Sequence, residues 1–112
     1  MRLSALALAL AFANEAAFAD VKPLLRSQWP STVAAAVPLI VATLTPAQRS
    51  IVMGTSRENL FLLQGEWGED IAVLLGLNAG NTALVAAACG PDCKIEQSTL
   101  LLMEAAWEAL QK

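Results

Sequence analysis

The chain has 112 residues, a formal net charge of −3, two cysteines and no histidine. This length supports a single domain, and an acidic balance without a lysine or arginine cluster argues against a nucleic-acid-binding or anionic-membrane surface. The absence of histidine excludes a Ser-His-Asp or Cys-His catalytic arrangement, an imidazole metal site and an imidazole general base.

The first nineteen residues have the features of a secretory signal peptide. Arg2 precedes an apolar run, and the small-residue pattern Ala17-Phe18-Ala19 follows it. A cationic start, an apolar stretch too short to span a bilayer and an A-x-A pattern are typical of such a peptide. The alternative is an N-terminal core helix. We predict a cleaved signal peptide at 1–19 and one mature domain at 20–112, periplasmic or secreted.

The mature domain is predicted to be all-α, a small bundle or orthogonal array of about five short helices. Apolar residues recur at helical spacing, and no segment alternates with a period of two for long enough to indicate a strand. A lead-in with at most one helical turn precedes the helices. The predicted helices span residues 33–44, 46–53, 57–75, 82–89 and 93–110.

Local signals set the predicted ends of these helices. Ser31 is the expected N-cap of the first helix, and Pro38 is expected to kink that helix or split it in two. Thr45-Pro46-Ala47-Gln48 combines a capping box with a proline at the first helical position, which indicates the start of the second helix. Asn81 and Asp92 are the expected N-caps of the last two helices.

The third predicted helix contains Gly65 and Gly68, each of which costs about 0.5–1 kcal/mol relative to alanine in a helix interior. These glycines indicate a close helix contact or a bend. The three tryptophans, Trp29, Trp67 and Trp107, are spread along the chain. This distribution favours core or rim anchors over a ligand cage. The apolar faces predicted for the third and fifth helices comprise Leu60, Leu63, Trp67, Ile71, Leu74 and Leu75, and Ile95, Thr99, Leu102, Met103, Ala106 and Leu110.

Cys89 and Cys93 flank a Gly-Pro-Asp turn. In an exported chain with an even number of cysteines, a disulfide is the expected state, and it would join the fourth helix to the fifth. The stretch also looks like a thioredoxin active site with one residue inserted, which leaves a redox role open. Two thiolates without histidine make an incomplete zinc site.

Three acidic residues, Glu66, Glu69 and Asp70, cluster on the third predicted helix. Glu66 and Asp70 are four residues apart and share a face, so they are candidates for a cation site or an acid–base pair. The alternative is a solvated helix face. No nucleophile motif and no phosphate-binding loop is present. We therefore predict no catalytic residue, no metal ligand and no cofactor.

A spaced pattern of small and aromatic residues runs from Trp29-Pro30 almost to the end of the chain. It continues through a central glycine segment and closes on Pro91-Asp92 before a helix that ends in Trp107-Glu108-Ala109-Leu110. This order resembles a bacterial domain-of-unknown-function family, number 6794, with the pattern G-x-x-I-R-N-x-x-G-L-W-x-G-N. The matching central residues are Gly68, Ile71, Gly76, Leu77, Gly80 and Asn81.

The chain departs from that pattern at several positions. Ala72-Val73 replaces the family's Arg-Asn pair, Asn78 replaces its tryptophan, and Cys93 replaces its second aspartate. The resemblance implies a compact helical fold and supplies no activity. From the residues we predict a non-enzymatic protein-interaction or structural module without a membrane span. The alternative is a thiol-disulfide redox protein that uses Cys89 and Cys93.

Overall fold

A computed structural model describes Phe18 and residues 21–112. These residues contain helices and no strand, which confirms the all-α prediction. The predicted signal peptide lies outside the described residues except for Phe18, which is partly buried against the core. The α-helices are α1 (Val33–Ala42), α2 (Pro46–Met53), α3 (Glu69–Leu75), α4 (Thr82–Cys89) and α5 (Ile95–Gln111).

Shorter helical segments fill the connections between the α-helices. A 3₁₀ turn covers Arg26–Gln28, a longer 3₁₀ helix covers Arg57–Leu63, and a π-helix covers Gln64–Gly68. The first of these agrees with the single turn predicted in the lead-in. None of the helices in the described part of the chain combines the length and the apolar character that crossing a membrane requires.

The C-terminal helix α5 is the centre of the fold. It contacts each of the other four α-helices, the longer 3₁₀ helix and the π-helix. Leu102, Met103 and Ala106 are fully buried on its inner face, and Thr99 is nearly so. The apolar spacing predicted for this helix is therefore confirmed, because its buried residues recur at the interval of an amphipathic helix.

The boundaries of α1 differ from the prediction. Thr32, and not Ser31, is the N-cap, because its side-chain oxygen accepts from the backbone N–H of Ala35 at 3.1 Å. The helix ends at Ala42, and Leu44 is buried just beyond it. The helix is not split at Pro38. Pro38 is exposed, and so is Ala34, the residue whose carbonyl group loses its helical hydrogen bond to position 38.

The third predicted helix is correct as an α-helix only over its last part, α3. The segment before it forms the 3₁₀ helix and then the π-helix. Gly68 permits close packing of this segment, because a Cβ at that position would lie 3.1 Å from Cγ2 of Thr99 and 3.3 Å from Sδ of Met103. The missing side chain lets the π-helix lie close against α5.

The last helix also starts later than predicted. It begins at Ile95 with Lys94 as its N-cap, so Asp92 does not cap it. The side chain of Gln97 accepts from the backbone N–H of Lys94 at 3.1 Å, which satisfies one of the unpaired donors of the first turn. The capping box of α2 and the Asn81 cap of α4 are as predicted.

The loop between α3 and α4 packs on the lead-in. Gly76 ends α3 with a left-handed φ of 69°, and a Cβ there would lie 2.4 Å from the ring of Trp29. Asn81 donates to the carbonyl oxygens of Leu75 at 2.8 Å and Pro30 at 3.2 Å, while its own oxygen accepts from Leu84 N–H at 3.3 Å. One buried amide therefore joins the lead-in, α3 and α4.

Candidate functional site

A cleft of about 330 Å³ lies between the 3₁₀ helix Arg57–Leu63 and helix α5. It is lined by Arg57, Glu58, Phe61, Leu100 and Glu104, and we refer to it as the Phe61 cleft. Its base combines an aromatic ring with an aliphatic side chain, and its border is formed by charged groups. This combination is typical of a surface that contacts another molecule.

The 3₁₀ helix exposes two large apolar side chains, and one of them, Phe61, lines the cleft. Leu60 is fully buried and anchors the helix, whereas Phe61 is 54% exposed and the neighbouring Leu62 is 66% exposed. A 3₁₀ helix has three residues per turn, so residues next to Leu60 in sequence point away from the core side. Burial of Leu60 thus leaves Phe61 and Leu62 at the surface.

Helix α5 supplies the opposite wall of the cleft. Leu100 and Glu104 are four residues apart and therefore project from the same face. The indole N–H of Trp107 donates to the backbone carbonyl of Thr55 at 2.8 Å, at the turn that leads into the 3₁₀ helix. This hydrogen bond connects the two walls of the cleft independently of the side chains that line it.

Ion pairs between Arg57 and two glutamates of α5 lie at the border of the cleft. Arg57 donates to Oε2 of Glu104 from Nη2 at 3.0 Å and from Nε at 3.3 Å, and it pairs with Oε1 of Glu108 at 2.7 Å. The hydrogen bond to Glu104, followed by the charge of Glu108, raises the pKa of the Arg57 guanidinium above its ordinary value. The guanidinium is thus paired with both of these carboxylates, and Glu58 is exposed beside them.

A second, smaller cavity of about 130 Å³ lies where the π-helix meets the start of α5. Gln64 closes one side of it by donating from Nε2 to the backbone carbonyl of Glu96 at 2.7 Å. Two exposed carboxylates, those of Glu69 and Glu96, face this cavity. Within the described residues no three acidic or cysteine side chains are grouped closely enough to hold a metal ion.

The structure does not bring the predicted acidic cluster together as a site. Asp70 is buried at 9% exposure, whereas Glu66 and Glu69 lie at the surface. The interpretation of all three as one solvated face is therefore wrong for Asp70. The cation-site interpretation is not supported either, because these carboxylates do not form a metal-binding group.

The cysteine pair forms the predicted disulfide. The Cα atoms of Cys89 and Cys93 are 5.3 Å apart, within the range of about 4.4–6.8 Å that a disulfide spans. Cys89 is the last residue of α4, and Cys93 precedes the first residue of α5 by two positions. The bond therefore links the end of one helix to the approach of the next.

The other residues singled out from the sequence occupy four separate regions. Trp29, Leu77, Gly76, Gly80 and Asn81 belong to the packed lead-in and loop described above. Gly68 and Ile71 lie where the π-helix and α3 meet the core, and Trp107 lies beside the Phe61 cleft. Pro91 and Asp92 are exposed in the disulfide loop.

Sequence reasoning missed the Phe61 cleft. The available signal was that Phe61 and Leu62 fall outside the apolar face predicted for the third helix, although both are large and apolar. Their proximity to α5 was not predictable, since Arg57 and Glu104 are 47 positions apart in the chain.

Similarity to known proteins does not assign a function to the Phe61 cleft. No family model, no curated protein and no solved structure matches the chain. The resemblance to family 6794 stays a prediction that rests on the quoted residues.

Proposed function

We propose that this protein is an exported, non-enzymatic helical domain that acts by contacting another protein at the Phe61 cleft. The observation that carries the proposal is the 54% exposure of Phe61 in the lining of an open cleft. An exposed aromatic side chain that lines a depression marks an interaction surface more often than a single exposed residue on a flat surface does. Covering the exposed half of a phenylalanine side chain contributes about 1 kcal/mol, roughly half the value for complete burial.

Export is part of the proposal and is supported by two features. The first nineteen residues have the pattern of a signal peptide, and the disulfide between Cys89 and Cys93 belongs to an oxidising compartment. The exported chain is expected to begin at Asp20. Its intact mass should be about 2 Da below that of the dithiol form.

A photo-crosslinking experiment in the native host tests the protein-contact proposal. A benzophenone amino acid replaces Phe61 in one variant and Leu25 in another, because Leu25 is 68% exposed but lies outside the cleft. Irradiation should give a discrete adduct with a protein identified by mass spectrometry from position 61 and none from position 25. Equal adducts from both positions, or none from position 61, would contradict the proposal.

A thiol-disulfide redox activity is the second candidate, favoured by the exposure of Cys89. Its position argues against it, because Cys89 ends α4 and a thiolate there would face the negative end of the helix dipole. The reduction potential of the pair decides between the two roles. A structural disulfide is expected below about −300 mV, and a value well above this would favour redox function.

A further inference from the structure

The border of the Phe61 cleft carries more negative than positive charge. Arg57 supplies one positive charge, and it is shared between Glu104 and Glu108. Glu58 adds a third carboxylate, so the charged lining residues together with the adjoining Glu108 carry one positive and three negative charges, a local net charge of −2. The net charge of the whole chain, −3, has the same sign. An approaching partner therefore meets a negative field at the site where apolar surface is exposed.

This combination selects the occupant of the cleft. The apolar base formed by Phe61 and Leu100 favours an aliphatic or aromatic side chain, and the carboxylates favour neighbouring positive charges. An acidic peptide or an anionic lipid surface would be repelled. A second copy of the chain is disfavoured as well, because a symmetric contact through this face would bring together two surfaces of the same net negative charge.

Building on the proposed function, we infer that the partner is a polypeptide segment that places an apolar side chain in the Phe61 cleft and flanks it with lysine or arginine. Charge complementarity supports this choice, since Arg57 is committed to Glu104 and Glu108 while the carboxylate of Glu58 remains exposed. An amphipathic helix with apolar anchors at i and i+4 presents this chemistry in its simplest form.

Two fluorescent peptides test the inference on the full chain. One is a leucine–lysine peptide patterned as an amphipathic helix, and the other has glutamate in place of every lysine. We expect fluorescence anisotropy to detect binding of the lysine peptide and at least tenfold weaker binding of the glutamate peptide. The affinity for the lysine peptide should fall as salt is added, because exposed charges are screened over about 10 Å at 0.1 M ionic strength.

Two charge reversals locate the effect. Glu58→Lys should weaken binding of the lysine peptide about tenfold and strengthen binding of the glutamate peptide. Asp92→Lys makes the same change in net charge in the exposed disulfide loop, away from the cleft, and should alter neither affinity more than about threefold. Both variants alter exposed side chains, and circular dichroism verifies that each is folded.

The outcomes separate the inference from the proposed function. Equal affinity for both peptides, abolished in each case by Phe61→Ser, would overturn the charge requirement and leave the cleft as a contact site. No binding of either peptide, or binding unaffected by Phe61→Ser, would overturn both. Sedimentation that shows a dimer dissociated by Phe61→Ser would replace the cationic partner with a second copy of the chain.

Discussion

Replacing Gly76 with alanine tests the contact between the lead-in and the loop after α3. The φ angle of 69° at this position lies in the left-handed region, where a residue with a Cβ loses about 1–2 kcal/mol. The added methyl group would also lie 2.4 Å from the ring of Trp29, so the ring has to move. Two separate penalties therefore act on one substitution.

The second penalty follows from the burial of Trp29. This side chain is half-buried, and its indole N–H has no hydrogen-bond partner among the described residues, so displacement costs packing and no hydrogen bond. Complete loss of a buried tryptophan costs about 3–5 kcal/mol, and a displacement that keeps part of the ring packed costs roughly half of that. The sum with the backbone penalty is about 3 kcal/mol, which corresponds to a fall in Tm of roughly 12–24 °C for a domain of this size.

Denaturation by guanidinium, followed by circular dichroism, measures this effect in four variants. Gly76→Ala should cost about 3 kcal/mol in the native sequence and only about 1–2 kcal/mol in a Trp29→Ala background, because the clash is then absent. Gly65→Ala is the matched control, since a Cβ at that position meets nothing within 4 Å. Its effect should be neutral or stabilising. A cost of Gly76→Ala that is unchanged by Trp29→Ala would refute the proposed contact.

Three further predictions concern other connections in the fold. In a urea titration, Asn81→Ala should lower the free energy of unfolding by about 2–3 kcal/mol, because it removes a cap and leaves buried carbonyls unpaired. Asn81→Asp should lower it further, because a carboxylate would face the carbonyl oxygens of Leu75 and Pro30. Trp107→Phe should cost about 1 kcal/mol in thermal unfolding, and an unchanged Tm would mean that the bond to Thr55 contributes nothing. Reduction of the disulfide should cost about 2 kcal/mol for so short a loop, with Cys89→Ser/Cys93→Ser giving the same loss without reductant.

Local chemistry predicted some parts of the fold, although two of the N-caps predicted from it, Ser31 and Asp92, are wrong. Thr45 caps α2 and Asn81 caps α4, as predicted from the sequence. A side-chain oxygen next to an unpaired helical N–H stabilises the helix end wherever the helix lies in the fold. The buried face of α5 was predictable for a related reason, because helical periodicity alone determines which of its side chains share a face.

The segment before α3 was not predictable in this way. Its apolar spacing fits an α-helix, and Leu60 and Trp67 are buried as that spacing requires. The choice of 3₁₀ and π geometry depends on packing against α5, where Gly68 approaches Thr99 and Met103. Long 3₁₀ runs and π-helices are uncommon, and the contact with α5 joins residues far apart in the chain, so the sequence window alone carries no information about it.

The Phe61 cleft and the core use different faces of the same helix. Leu102, Met103 and Ala106 of α5 are fully buried, whereas Glu104 forms the wall of the cleft. The 3₁₀ helix is divided in the same way, because Phe61 is exposed at the cleft whereas Leu60 next to it is fully buried in the core. A substitution of Phe61 should therefore leave the fold intact, since the buried neighbour continues to anchor the segment. This separation allows a binding defect in Phe61→Ser to be assigned to the surface, provided that its unfolding free energy matches that of the native chain.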